Sequence, residues 1–131
     1  MRLNIQTYDQ LRILSVVARR SPSGVKADDI ASQLHMTVMQ VKKLGARLVK
    51  AKLLQSRRGP HGGVRLTGSP SELKLGQLIA TLEKIDGASS MDDVDSHSPM
   101  GQAMRQAFSA MVSALDEHSL VEFATDRDPD R

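Results

Sequence analysis

The sequence predicts a mainly α fold that carries one small β hairpin and ends in a long helix. Three observations predict it. Apolar residues recur at helical spacing over most of the 131 residues. The run Gly59-Pro60-His61-Gly62-Gly63 sits between two short extended segments. Near the end Met104, Phe108, Met111 and Leu115 recur at helical intervals. The length suits one domain with an appendage. With 40% hydrophobic and 25% charged residues, the chain reads as globular rather than disordered.

Each element has its own signal. Tyr8 to Arg19 carries Leu11, Leu14, Val17 and Ala18 at helical spacing. Ser21-Pro22-Ser23-Gly24 breaks the chain. Lys26 to Leu34 is a short helix with Ile30, Ala31 and Leu34 on one face, and His35-Met36 is a tight connection. Thr37 followed by Gln40 is a capping box, which starts a helix from Val38 to about Lys50. On that helix Val41, Leu44 and Leu48 form one stripe. Met39, Lys43 and Lys50 lie opposite, flanked by Gln40 and Arg47. Leu53 to Arg58 and Val64 to Leu66 are the two legs of the hairpin. Beyond Ser69-Pro70, the residues Leu75, Leu78, Ile79 and Leu82 mark a helix that ends near Asp86-Gly87.

Two short helices, the second capped and basic, followed at once by a glycine-rich hairpin, make a winged helix-turn-helix. The domain is expected over residues 1–86. A polar, acidic loop follows at 87–99, then a helix at 100–124 and a frayed tail at 125–131. The late helix is too apolar to project alone. Pairing with a second copy through Met104, Phe108, Met111 and Leu115 buries it economically.

Charge is distributed unevenly. Eight Lys and Arg residues and no Asp or Glu lie between Met36 and Arg65. Ten acidic and three basic residues lie between Asp86 and Arg131, a net of −7. A polyanion is the natural partner of the basic middle. Aromatic residues are 2% of the chain, too few for single-strand stacking platforms, so double-stranded DNA is the expected partner. Thr37 and the amides after it are expected to anchor a phosphate. Met39, Gln40 and Lys43 should face base edges, with Gln40 pairing bidentately with adenine. Arg47, Arg57, Arg58, His61 and Arg65 complete the expected contact set. The competing reading is a winged-helix protein-interaction module that docks an acidic partner.

The absence of cysteine excludes disulfides, thiolate metal sites and cysteine-held iron–sulfur clusters. Asp92, Asp93, Asp95 and His97 read as solvated loop residues, not as metal ligands. No catalytic residues are expected. His35, His61, His97 and His118 are scattered, and no nucleophile triad or nucleotide-binding glycine motif accompanies them. No apolar run reaches the roughly 18 residues of a membrane span, and no leader pattern is present, so the expected location is the cytoplasm, on the nucleoid.

The chain resembles the Rrf family of bacterial winged-helix regulators, which contains IscR, NsrR and CymR. The resemblance rests on Thr7 to Leu14, on Asp29-Ile30-Ala31 with Leu34, and on the wing from Ser56 to Leu66. It continues in Leu73-Lys74-Leu75-Gly76-Gln77-Leu78-Ile79 and in Ala114 to Phe123. It implies a homodimeric transcription regulator, most often a repressor, bound to an imperfect palindrome. Many members hold an iron–sulfur cluster on three cysteines. Here Ser98-Pro99-Met100 stands where those members have Cys-Pro-Leu, and the other two ligands would fall near Gly87 and Asp92. No cofactor is therefore expected. An unidentified small-molecule effector is left open.

Overall fold

The computed structural model describes residues 5–85, 95 and 97–125. Most of the expected 87–99 loop and all of the tail beyond Thr125 lie outside the described residues. Helix α1 is Ile5–Arg19, α2 is Ala27–Leu34 and α3 is Val38–Lys50. Strands β1 (Leu54–Arg57) and β2 (Gly63–Leu66) follow, then a 3-10 turn at Pro70–Glu72. Helix α4 is Leu75–Ile85, α5 is Pro99–Leu115 and α6 is Leu120–Thr125.

The core lies where the apolar stripes of the first three helices meet. Ile13, Leu14 and Val17 of α1, Ile30 of α2 and Leu48 of α3 have no exposed surface. Each such side chain contributes about 1.5–3 kcal/mol when withdrawn from water. Leu54 and Leu66, paired across the hairpin, join the same core. The helix ends are defined by local chemistry. Thr37 Oγ1 accepts from Gln40 N–H at 3.1 Å, and Gln40 Oε1 accepts from Thr37 N–H at 3.0 Å. This is the capping box that the sequence spacing predicts. Helix α2 ends where His35 turns left-handed (φ 54°), and Arg12 donates to the Leu34 carbonyl at 3.0 Å.

Strands β1 and β2 form a two-stranded antiparallel sheet with Leu54 opposite Leu66 and Arg57 opposite Gly63. A third segment steadies it. Val25, in the α1–α2 connection, exchanges two backbone hydrogen bonds with Val64, each 2.8 Å. Gly63 has φ 115°, and an added Cβ would run into the Val25 backbone.

The C-terminal region corrects one expectation. The single helix expected over 100–124 is two helices, separated by a turn at 116–119. In that turn Asp116 caps α4, accepting from Gln77 N–H at 2.9 Å, and Leu120 N–H donates to the Leu73 carbonyl at 2.9 Å. Leu120 is 1% exposed and enters the core, while α6 packs on α1. Helix α6 thus folds back on the domain that precedes it. Helix α5 instead leans on α4, where Gly76 comes close to the Val112 carbonyl.

Two outcomes follow from these contacts. Gly63→Ala should lower stability by more than 1 kcal/mol in urea melts, because it strains a left-handed position and displaces the Val25 bridge. The second concerns Glu122. It receives hydrogen bonds from His118 at 2.8 Å and from the Ser119 amide at 3.2 Å, and these hold its carboxyl below the usual range. Because the folded-state value is depressed, this stabilisation is present above the ordinary carboxylate pKa. It fades as pH falls through the lowered one. Thermal midpoints measured across the acid range should fall less steeply for Glu122→Gln than for the parent.

Candidate nucleic-acid interface

The surface is built by α3 and the hairpin, which pack against each other through β1. Val41, Leu44 and Leu48 face inward, while Met39, Gln40, Lys42, Lys43, Ala46 and Lys50 are exposed. Met39 is 81% exposed, and Lys42 and Lys43 are exposed beside it. Arg57 closes β1, while Arg58 and His61 lie in the exposed turn. Arg65, on β2, is half-buried. Among the described residues none of these cations has a protein counter-ion within 4 Å; the ion pairs at Arg12–Asp9 and His118–Glu122 lie elsewhere. The expected basic set is therefore brought together on adjoining elements. The Val38 and Met39 amides, first in α3, have no carbonyl partner within the helix and can receive an anion.

Three of the expected side chains, Thr37, Gln40 and Arg47, are already committed. Gln40 Oε1 accepts from both the backbone N–H and the hydroxyl of Thr37, at 3.0 and 3.2 Å. A bidentate pair with adenine needs that oxygen, so it would dissolve the capping box. In the structure only the Gln40 amide nitrogen remains to read a base. Arg47 is half-buried and donates to Gln6 Oε1 at 2.7 Å, which ties α3 to α1. Sequence spacing gave no sign of this link, because the partners are 41 residues apart.

The apolar face of α5 is the second feature. Gly101 is the buried residue among those of the helix. Met100 is 72% and Met104 47% exposed, and Phe108, Met111 and Leu115 are half-buried. The turn that ends α5 carried a readable signal. Ser119 and Glu122 have the spacing of a capping box, and the Glu122 carboxylate does reach back to the Ser119 amide.

The donor set for a metal does not fit an iron–sulfur cluster. There is no cysteine in the chain. Ser98 is the N-cap of α5: its hydroxyl accepts from Gly101 N–H and donates to the Asp95 carbonyl, both at 3.0 Å. Among the described residues no group of three or more His, Asp or Glu could hold a metal ion. The positions near Gly87 and Asp92 lie outside the described residues. No described helix is long and apolar enough to cross a membrane.

Comparison with known proteins agrees with this geometry. Residues 3–126 match the model of the Rrf2 family, described as iron-dependent transcriptional regulators. A Rhodopseudomonas palustris protein assigned as the HTH-type transcriptional regulator BadM is 35% identical over 63% of this chain and 53% of its own length. The HTH-type transcriptional regulator IscR of Aliivibrio salmonicida is 28% identical over 92% of this chain and 75% of its own. The chain thus spans about half the length of the first of these relatives. Among solved structures, CymR of B. subtilis superimposes with a TM-score of 0.76 at 22% identity, covering 98% of this chain and 99% of that one. IscR of T. potens also gives 0.76, at 21% identity, over 100% of this chain and 91% of that one. At such identities the likeness is one of fold. It reproduces the mainly helical, two-strand winged architecture with its C-terminal helix α5. The family is one of DNA-binding regulators rather than enzymes, and with its model matching nearly end to end, the chain belongs to the Rrf2 family of winged helix-turn-helix transcriptional regulators, as a member with no cysteine to ligate an iron–sulfur cluster.

Proposed function

We propose that the protein is a homodimeric repressor that recognises a palindromic operator without a cysteine-held cluster. The observation that carries this reading is the set of exposed cations without counter-ions on α3 and the wing. The N-terminal turn of α3 enters the major groove. Lys43 reaches guanine, the Gln40 amide nitrogen donates to a base edge, and exposed Met39 meets a thymine methyl. The first α3 amides, of Val38 and Met39, fix a phosphate, while Thr37 keeps its place in the capping box. Arg57, Arg58, His61 and Arg65 hold the backbone beside the minor groove. Pairing of α5 with a second copy covers Met104, Phe108, Met111 and Leu115, and it sets the two half-sites about one helical turn apart.

Selection of bound genomic fragments should return a palindrome. Weak, salt-insensitive binding to duplex would instead favour docking of an acidic protein. In gel-shift titrations, Arg58→Ala should weaken specific and random duplex alike and lower the salt slope by about 1. An unchanged slope would remove the wing from the interface. Met104→Asp places a charge in the apolar face and should convert a dimer to a monomer in sedimentation experiments. Its operator affinity should fall by about 100-fold or more, because the two half-sites no longer bind as one unit.

A further inference from the structure

Beside the basic surface lies a cavity of about 420 Å³ between α3 and the wing. That volume falls within the range of roughly 300–1,000 Å³ usual for small-molecule sites. Ile13 and Ile30, both fully buried, line its depth, and Val41, Val49 and Val64 form walls. Lys42 and Ser56 supply its polar side chains, and no acidic residue is in the lining.

Gly45 is the second observation. It sits within α3, where glycine is the costliest residue after proline. It is buried, yet an added Cβ would meet no atom within 4 Å. No close approach of backbone or side chain therefore demands glycine here. What the missing side chain leaves is space, and that space opens into the cavity.

We propose that this cavity binds a small amphipathic carboxylate. Its hydrocarbon body lies against Val41, Val49 and Val64, and its carboxylate lies against the exposed Lys42 ammonium, with the Ser56 hydroxyl in the same lining. An apolar lining with one cation at its mouth and no anion selects such a ligand over a cation or a sugar. Because the walls belong to both α3 and β2, an occupant sets their spacing. Coupling to operator affinity rests on the DNA-binding reading above; the site itself does not.

The test is a methyl NMR titration of the full chain with 2-naphthoate and with octanoate, each beside its neutral amide. Saturable shifts are expected at Ile13, Ile30, Val41, Val49 and Val64. The amide should bind about two- to fivefold more weakly, the size of one exposed ion pair. Lys42→Met, at an exposed position, should weaken the acids by the same factor and leave the amides unchanged. Gly45→Leu should abolish the shifts, and Gly45→Ala should raise the thermal midpoint. Absence of saturable shifts with both acids, or equal binding of acid and amide, overturns the site. Duplex affinity measured at saturating 2-naphthoate is read separately. An unchanged value, with the NMR shifts intact, overturns only the coupling.

Discussion

Two backbone hydrogen bonds between Val25 and Val64, each 2.8 Å long, hold the wing to the helical body. A hairpin of two four-residue strands is marginal by itself in water. The Val25 bridge gives it a third partner, and Leu54 and Leu66 anchor its base in the core. Val25 is in turn held between α1 and α2. The exposed cations at Arg57, the last residue of β1, and at Arg58, in the turn, therefore keep a defined place relative to α3.

The N-terminus of α3 shows how one residue can serve two competing demands. Gln40 closes the capping box through its side-chain oxygen and presents its amide nitrogen outward. Loss of such a cap typically costs about 1 kcal/mol, so a base contact that takes the oxygen must first repay it. Arg47 is similarly divided between a structural bond to Gln6 and the charged face on which it lies. The cations without such ties, Lys43 and Arg58 among them, can turn toward a polyanion without breaking a bond within the protein.

The C-terminal region separates two functions that a continuous helix would have merged. The turn at 116–119 lets Leu120 return to the core beside α1, while Asp116 caps α4. Helix α5 is then pinned at its far end by the same domain it extends. Its exposed methionines, Met100 and Met104, lie toward the other end of the helix. Under the dimeric reading they would meet a second copy, and methionine suits that role because a flexible side chain adapts to an approximately self-complementary surface.

Much of this was open to inspection in the residues alone. Helical spacing located α1 to α4, the Thr37–Gln40 pair located the start of α3, and the glycine run located the wing, because each depends on neighbours within a few positions. The basic character of the middle and the missing cysteines were equally plain, since composition needs no coordinates. Long-range contacts were not legible. The Arg47–Gln6 bond, the Val25–Val64 bridge and the return of Leu120 to α1 join residues dozens of positions apart, and no local pattern names such partners. The break after α5 fell between these cases. Its Ser119–Glu122 signature was local, but an apolar rhythm running through it concealed the turn. Packing then decided the matter, because only a bend at that point buries Leu120 and satisfies the exposed end of α4 together.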